Sequence, residues 1–344
     1  MPDAPALKAA LATVAMGRDL SEETMAAAMG EIMDGAASPA LLGGFLVGLR
    51  VKGESVDEIA GAVRAMRARA LSITPGAERR LDTCGTGGDG AGTFNISTAV
   101  AFVCAAAGVT IAKHGNRAIS SRVGSADVLE ALGVSLSLSP EAVTRCIDEV
   151  GIGFLFAPHH HGALRPAGPV RRELGFRTLL NLLGPMTNPA SATHQLVGIF
   201  DPSRVETVAE VLGRLGARRA LVVHGCDGLD EITLAGPTDA ALWSDGAVQR
   251  LTLTPESVGI TRAEATALAG GDADHNAAII RRVLSGEPGP CADIVRLNAG
   301  AALWVAEESE TLEGGVAMAS ALMERAAPLA VLDALVALSG ELAT

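Results

Sequence analysis

The first part of the chain carries apolar residues at helical spacing. Over residues 4–71 they recur every three or four positions, which indicates amphipathic helices. Three helix-start signals lie in this stretch: Ser21 precedes two glutamates, Ser38 precedes a proline, and Ser55 is followed three residues later by Glu58. We therefore predict a block of three or four helices.

After about residue 79 the pattern changes to short apolar strands that alternate with helices. Strands are predicted to lead into Thr83 and to cover 109–112, 195–200 and 220–224, with helices from Asn95, from Ser125 and after Pro202. Such alternation is typical of a mostly parallel sheet covered by helices. Around 169–189 the pattern is again helical, and we expect this segment to return to the first domain.

These patterns predict an α/β protein of two domains. A small N-terminal helical domain would cover 1–72, joined by about 168–190, and a larger α/β domain with a mostly parallel central sheet would cover 73–344. The length of 344 residues is compatible with this division, because single cores usually stop growing at about 250 to 300 residues. Hydrophobic residues make up 49% of the chain and aromatic residues only 3%, so Ala, Leu and Val must form most of the core.

The net charge of −12 argues against a nucleic-acid partner, which would require clustered positive surface. Any anionic ligand must therefore meet positive charge that is concentrated locally. Two basic stretches supply it, one with Lys113, Arg117 and Arg122 and one with Arg165, Arg171, Arg172 and Arg177.

The five cysteines are odd in number, lie far apart and include no Cys-x-x-Cys pair. They are therefore expected to be reduced thiols in a cytoplasmic protein. The N-terminus lacks the basic region of a secretion signal, and polar residues interrupt the long uncharged run 95–112. We expect neither secretion nor a membrane span.

A glycine-rich segment follows the first predicted strand, where residues 82–89 read DTCGTGGD. Glycines allow backbone N–H groups to approach an anion closely, and a helix that begins near Asn95 would aim its free N–H groups at it. Lys113 and Arg117 follow the next predicted strand and add full positive charges. Because ligands of open α/β sheets bind at the carboxyl ends of the strands, these segments predict a polyphosphate pocket.

Residues 85–90 also match the G-x-G-x-x-G pattern of dinucleotide-binding folds. Those folds place an acidic residue at the end of the second strand, where it binds a ribose diol. Here that strand leads into Lys113 and His114 instead. The pattern therefore disfavours NAD binding.

Taken in order, the motifs resemble those of the anthranilate phosphoribosyltransferase family. They are CGTGGD at 84–89, FNIST at 94–98, KHGNR at 113–117, GSAD at 124–127, Arg177 with NLLGP at 181–185, and the pair Asp230-Glu231. The resemblance covers nearly the whole chain. It implies a homodimer whose protomer has a small helical domain and a larger α/β domain of the nucleoside-phosphorylase type. It also implies transfer of the 5-phosphoribosyl group from 5-phosphoribosyl diphosphate to the amine of anthranilate, with Mg²⁺, in tryptophan biosynthesis.

The resemblance also assigns residues to the site. The phosphoribosyl diphosphate would be bound by Gly85, Gly88, Asp89, Thr93, Asn95, Ile96, Ser97, Thr98, Lys113, His114, Gly115, Asn116, Arg117, Ala118, Ile119, Ser120, Ser121 and Ser125. Anthranilate would contact Gly85, His114, Asn116 and Arg171. Ser97, Asp230 and Glu231 would bind Mg²⁺, and Lys113 and His114 would be the catalytic residues.

The chemistry of this transfer explains the residue types. Negative charge grows on the departing diphosphate as the bond to the sugar breaks, and Mg²⁺ and a lysine can stabilise that charge. The carboxylates of Asp230 and Glu231 are the hard oxygen ligands that Mg²⁺ prefers. The carboxylate of anthranilate suits an arginine fork, for which we favour Arg171 over Arg165 and Arg172.

Three features remain open at this stage. His114 can act as a general base after attack, or it can simply pack beside Lys113. The run of histidines at 159–161 suggests zinc, but consecutive side chains on an extended segment point to opposite sides. Family members often have His-Pro-Ala-Met where residues 161–164 read HGAL, which leaves the anthranilate entrance undecided.

Two other functions remain as alternatives. A pyrimidine nucleoside phosphorylase-like enzyme would share the fold and the glycine loop, but it would use phosphate and would not need the acids at 230 and 231. A catalytically silent nucleotide-binding relative would be expected to lack Lys113, Asn116 or one of the acidic metal residues, and all are present.

Overall fold

The computed structural model describes residues 3–118 and 122–343, and the chain begins with four helices. They are α1 (Pro5–Ala15), α2 (Glu22–Met33), α3 (Pro39–Lys52) and α4 (Val56–Arg69). The hydroxyls of Ser21 and Ser38 each accept a backbone N–H of the following first turn, and Ser55 forms a reciprocal capping box with Glu58. The predicted helix starts are confirmed.

The rest of the chain alternates between strands and helices and ends in four helices. The strands are β1 (Leu81–Gly85), β2 (Ile111–Gly115), β3 (Ile152–Phe156), β4 (His194–Gly198), β5 (Arg219–Gly225), β6 (Thr238–Ser244) and β7 (Ala247–Leu253). The helices are α5 (Ile96–Ala106), α6 (Ser125–Ala131), α7 (Pro140–Val150), α8 (Ala157–His160), α9 (Gly168–Leu174), α10 (Leu179–Leu182), α11 (Val205–Arg214), α12 (Ala273–Leu284), α13 (Pro290–Val305), α14 (Leu312–Glu324) and α15 (Ala327–Leu342).

The seven strands form one sheet in the order β3-β2-β1-β4-β5-β6-β7. The first five strands are parallel, and β6 and β7 add an antiparallel edge. The prediction of a mostly parallel sheet is therefore confirmed. Because the chain builds β2 and β3 on one side of β1 and then places β4 on the other, the strand order reverses between β1 and β4. Ligands of open α/β sheets bind at the carboxyl ends of the strands at such a point.

Strand β2 is longer than its apolar pattern predicts. The expected strand over 109–112 begins instead at Ile111 and continues through Lys113 and His114 to Gly115. Both polar side chains are buried, and each contacts a backbone carbonyl in the interior. They therefore belong to the strand itself rather than to the loop that follows it.

Among the described residues, the two largest of three hydrophobic cores cover the two faces of the sheet. One packs α5 and the C-terminal helices against residues such as Leu81 and Ile111. The other joins the four N-terminal helices, the 167–186 segment and α11 to residues such as Val197 and Val222. The N-terminal helices thus share a continuous core with one face of the sheet, although the predicted boundary at 72/73 stays a prediction.

Arg67 of α4 ties the N-terminal helices to the larger unit. Its guanidinium donates to the carbonyl oxygens of Met186 and Leu215, each at 2.9 Å. Leu215 is the C-cap of α11, so this cation meets the negative end of a helix dipole. Among the residues that the structure describes, no helix combines the length and apolar character that crossing a bilayer requires.

Candidate active site

The glycine-rich loop runs from the end of β1 to the start of α5. Four of its glycines have positive φ angles of 65–75°, which residues with a side chain rarely adopt: Gly87, Gly88, Gly90 and Gly92. Asn95 is the N-cap of α5, so this helix begins where the loop ends, as predicted. The loop therefore has the backbone geometry of an anion-binding segment.

The acidic pair lies in the turn between β5 and β6 and packs directly against this loop. A Cβ on Gly85 would lie 2.4 Å from Asp230 Oδ2, and one on Gly198 would lie 1.5 Å from the Asp230 carbonyl oxygen. The N–H of Gly87 donates to Asp230 Oδ2 at 2.8 Å, and the N–H of Ser97 donates to Glu231 Oε1 at 3.1 Å. The predicted metal residues Ser97, Asp230 and Glu231 are thus brought together.

Burial and repulsion raise the pKa values of these carboxyls. Burial is the larger cause for both, and the pKa rises to about 7 for Asp230 and to about 8 for Glu231. Asp89 adds repulsion to Asp230, and the two carboxyls also repel each other. Within 3–118 and 122–343, no set of three or more His, Cys, Asp or Glu side chains is placed to hold a metal. Two carboxylates and a hydroxyl nonetheless suit Mg²⁺, which usually keeps several waters and binds substrate phosphates.

Lys113 lies beneath this acidic pair. Its ammonium donates to the carbonyl oxygen of Thr83 and lies 3.4 Å from Ser97 Oγ, and the residue is only 2% exposed. Burial lowers the pKa of Lys113, while the nearby Asp82 and Glu231 carboxyls oppose that shift. The lysine is therefore a buried amine behind the acidic turn, and the Asp82 and Glu231 carboxyls favour its charged form.

His114 is held as a neutral imidazole. Its Nδ1 lies 3.1 Å from the carbonyl oxygen of Gly184 and must carry the proton, because a carbonyl only accepts. Its Nε2 is buried and has no partner among the described residues. Burial, followed by repulsion from His161, lowers the pKa of His114 to about 3. Such a group is a poor general base at neutral pH but can accept a hydrogen bond.

The segment after β2 binds its own neighbours. Arg117 forms ion pairs with Asp127 at 2.9 Å and with Glu130 at 2.8 Å. Its positive charge is therefore balanced by these two acids in this structure. The side-chain oxygen of Asn116 accepts the backbone N–H of Arg117. The backbone carbonyl oxygen of Asn116 accepts a hydrogen bond from Ser125 Oγ at 3.4 Å. The predicted residues Ile119, Ser120 and Ser121 lie outside the described residues.

Arg171 is more buried than Arg165 and Arg172, the other two arginines considered for the anthranilate carboxylate. It lies on α9 and is half-buried, whereas Arg165 and Arg172 are exposed. Burial lowers the pKa of Arg171, and its side chain has no hydrogen-bond or acidic partner in the described parts of the chain. No contact joins Arg171 to His114 or Asn116, so its role stays a prediction.

The three consecutive histidines point to different neighbours. Far from being extended, the segment contains the short helix α8. His159 packs on Phe156, His160 Nδ1 lies 2.6 Å from the Leu71 carbonyl oxygen, and His161 packs on His114 at a ring distance of 5.1 Å. This arrangement does not gather them around one ion.

The sequence patterns missed a set of buried polar residues behind the site. Asp82 accepts the N–H of His114 at 3.1 Å and the amide of Asn188 at 2.7 Å. Asn276 and Asn298 are also fully buried and contact the loop and the turn. Asn298 stands within the largely apolar run 297–305 of α13, whereas Asn276 lies in a helix with several charged residues and has no such signal.

Comparisons with known proteins agree with this geometry. The family described as "Glycosyl transferase family, a/b domain" matches residues 77–327, and "Glycosyl transferase family, helical bundle domain" matches residues 8–70. A protein of Moorella thermoacetica named anthranilate phosphoribosyltransferase is 56% identical over 331 residues, which are 96% of this chain and 98% of that protein. A protein of Rubrobacter xylanophilus with the same name is 54% identical over 338 residues, 98% of each chain.

Solved structures give the same result. The crystal structure of anthranilate phosphoribosyltransferase from Thermus thermophilus superposes with a TM-score of 0.92 at 47% identity and covers 97% of this chain and 99% of its own. The Saccharomyces cerevisiae enzyme in complex with PRPP and Mg superposes with a TM-score of 0.89 at 24% identity, covers 99% of both chains, and supports the fold alone. The family predicted from the motifs is confirmed. The chain belongs to the glycosyl transferase family that these two domains define and, within it, to the anthranilate phosphoribosyltransferases.

Proposed function

We propose that this protein transfers the 5-phosphoribosyl group from 5-phosphoribosyl diphosphate to the amine of anthranilate. The products are N-(5-phosphoribosyl)anthranilate and diphosphate, a step of tryptophan biosynthesis. The observation that carries the proposal is the meeting of the glycine loop, the start of α5 and the Asp230-Glu231 turn beside β1 and β4. The names of the relatives favour this reaction over the nucleoside phosphorylase alternative.

The backbone would bind the donor. In the loop, the N–H groups of Gly88 and Asp89 have no acceptor among the described residues and would be available for phosphate oxygens, whereas those of Gly87 and Ser97 already donate to the acidic pair. Lys113, behind them, would oppose the negative charge that grows as the diphosphate departs. The glycine loop therefore contributes donors that are in place before the sugar bond breaks.

The acidic turn would hold Mg²⁺ through Asp230, Glu231 and Ser97. The raised pKa values of the two carboxyls support this assignment, because a divalent cation would offset both the cost of burying their charges and the repulsion between neighbouring carboxylates. When bound, Mg²⁺ would supply positive charge that stabilises the departing diphosphate.

The acceptor would need positioning more than deprotonation. The amine of anthranilate is already neutral at pH 7, and correct placement of a nucleophile can contribute up to about 7 to 11 kcal/mol. We assign its carboxylate to Arg171, whose half-buried guanidinium has no acidic partner in the described structure. His114, a neutral acceptor, and Asn116 would orient the ring and amine.

We also propose a cytoplasmic homodimer. Met16, the C-cap of α1, and Val51 of α3 are 69% and 82% exposed, and such apolar side chains are suited to a contact between copies. The five cysteines are free, which fits a reducing compartment. Light scattering of the purified protein should give twice the mass of the 344-residue chain, and the mass of one chain would reject the dimer.

The fluorescence of anthranilate provides the test of activity. The protein is mixed with anthranilate, 5-phosphoribosyl diphosphate and Mg²⁺, and the fluorescence is expected to fall as the amine is substituted. Mixtures without the donor, and mixtures with a chelator in place of Mg²⁺, should not change. A constant signal in the complete mixture, with an active relative as control, would reject the proposed function.

A further inference from the structure

Three asparagines are buried among the described residues, and each contacts a different segment of the candidate site. Asn188 is 2% exposed, Asn276 is 1% exposed and Asn298 is 0% exposed. A buried amide is costly unless its donors and acceptor find partners. All three find them in the backbone or side chains that build the loop, the strand ends and the acidic turn.

Asn298 holds the acidic turn. It lies on α13, accepts the N–H of Ile232 at 2.9 Å and donates to the carbonyl oxygen of the same residue at 2.9 Å. A second amide hydrogen goes to the Ile294 carbonyl of its own helix. Ile232 directly follows Glu231, so these two hydrogen bonds hold the backbone of the turn and with it the orientation of the two acidic side chains.

Asn276 holds the end of the glycine loop. It lies on α12, accepts the N–H of Gly271 at 2.8 Å and donates to Asn95 Oδ1 at 3.0 Å. Asn95 in turn donates to the carbonyl oxygen of Val123 at 3.1 Å. These linked hydrogen bonds fix the orientation of the Asn95 side-chain amide. They also hold Asn95, the N-cap residue of α5, in place.

Asn188 holds the strand ends beside Lys113 and His114. Its amide donates to Asp82 Oδ2 and to the Ala112 carbonyl oxygen, each at 2.7 Å. The other oxygen of Asp82 accepts the N–H of His114. One side chain therefore joins β1 to β2 where the site begins.

We propose that Asn188, Asn276 and Asn298 are positioning residues, each of which sets the geometry of one functional part of the site. The inference rests on the proposed function, and it predicts three different defects rather than one shared loss. Outer contacts of this kind typically change affinity or activity by about 10- to 100-fold when they are removed.

The aspartate variants test this directly, because Asp has the shape of Asn but lacks its donors. Asn298→Asp should raise the Mg²⁺ concentration for half-maximal activity by about 10-fold or more. Asn276→Asp should raise KM for the donor by a similar factor and leave KM for anthranilate near that of the wild type. Asn188→Asp should mainly lower kcat.

Calorimetry provides a readout that does not depend on turnover. 5-Phosphoribosyl diphosphate is titrated into each variant in the presence of Mg²⁺. The Asn276→Asp and Asn298→Asp variants should bind this ligand more weakly than the Asn188→Asp variant. Ser339→Ala is the matched control, since Ser339 of α15 is equally buried and accepts the N–H of Ser135, away from the site. It should melt at a lower temperature with unchanged kinetic constants.

Equal loss in all kinetic and binding constants across the three variants, or no loss, would overturn the inference. Where an aspartate variant does not fold, the corresponding serine variant is measured, and failure of both assigns that asparagine to the fold and counts against the proposal. A wild-type protein that binds the donor with Mg²⁺ but transfers no phosphoribosyl group would reject the proposed function. The calorimetric binding measurements would still test the positioning role of the three asparagines.

Discussion

At the scale of single residues, Asp230 and Glu231 show how the site opposes the stability of the fold. Their folded-state pKa values of about 7 and about 8 lie above those of free carboxyls. The folded protein therefore binds protons more tightly than the unfolded chain does. Its stability should fall as the pH rises through these values, because the repelling charges then appear in the interior.

The double variant Asp230→Asn with Glu231→Gln should therefore melt at a higher temperature than the wild type in a chelator at pH 8.5. Each kcal/mol of relieved repulsion raises the midpoint by about 2–4 °C in a protein of this size class. Scanning calorimetry with and without Mg²⁺ checks this, and the variant should lose both activity and the stabilisation that Mg²⁺ gives the wild type. A variant that melts lower and still responds to Mg²⁺ would contradict the metal assignment.

Arg171→Ala should raise KM for anthranilate by about 10- to 100-fold, because a charged hydrogen-bond partner of the carboxylate is lost. KM for the donor should stay near that of the wild type. Arg172→Ala is the matched control, since it removes an exposed arginine from the same helix. Equal damage to the use of both substrates would count against the assignment.

Sequence patterns predicted residues that the structure brings together at the glycine loop and the acidic turn, but assigned no role to the buried polar residues behind them. Gly85, Lys113 and Glu231 stand in compact motifs, so their types and spacing point to phosphate and metal chemistry. Asp82 and Asn298 contact residues that are 32 and 66 positions away in the chain. Only the folded structure identifies those partners.

At the scale of elements, the close packing of β1 and β4 against the acidic turn determines where the carboxylates lie. Gly85→Ala should displace Asp230, because the new methyl group would lie 2.4 Å from its Oδ2 atom. We expect a loss of activity of about 10-fold or more with a raised Mg²⁺ requirement. Activity measured across a Mg²⁺ series tests this.

Gly340→Ala is the control for this substitution. It lies within α15, where an added methyl group meets nothing within 4 Å. Activity should be unchanged and stability should rise by about 0.5–1 kcal/mol, because alanine favours a helix. A Gly85→Ala protein with normal Mg²⁺ dependence would show that the contact with Asp230 is unimportant.

Several elements were predictable from local signals, although β3 and the four C-terminal helices were not predicted. Helix starts at Ser21, Ser38 and Ser55 follow from capping chemistry, which is local in sequence. The end of β2 does not, because Lys113 and His114 resemble loop residues until the buried carbonyls that they contact are known. Local patterns cannot reveal such tertiary partners.

At the scale of the whole molecule, the N-terminal helices and the sheet share one core and should unfold together. Arg67→Met removes the donors to the carbonyls of Met186 and Leu215, and a buried carbonyl without a partner costs about 1–3 kcal/mol. We expect unfolding free energy to fall by about 2–4 kcal/mol. Arg64→Met, which breaks only the exposed pair with Glu22, should change it by less than about 1 kcal/mol.

Urea unfolding followed by circular dichroism and by tryptophan fluorescence measures both quantities. Trp243 and Trp304 report on the α/β unit, whereas the dichroism also follows the N-terminal helices. Coincident transitions are expected, because the shared core couples the two parts. Two separate transitions would show that the N-terminal helices unfold independently.

The composition and the alternation of elements predicted the fold class and the mostly parallel sheet. They did not predict that the N-terminal helices would share a core with β4 and β5, because apolar helix faces do not specify what they pack against. The homodimer and the domain boundary stay predictions.

A crystal structure of the protein soaked with 5-phosphoribosyl diphosphate and Mg²⁺ tests the central claim most directly. We predict that the diphosphate lies against the backbone N–H groups of 85–89 and the start of α5, with the metal on Asp230 and Glu231. A donor bound elsewhere, or a metal that avoids both carboxylates, would contradict the account.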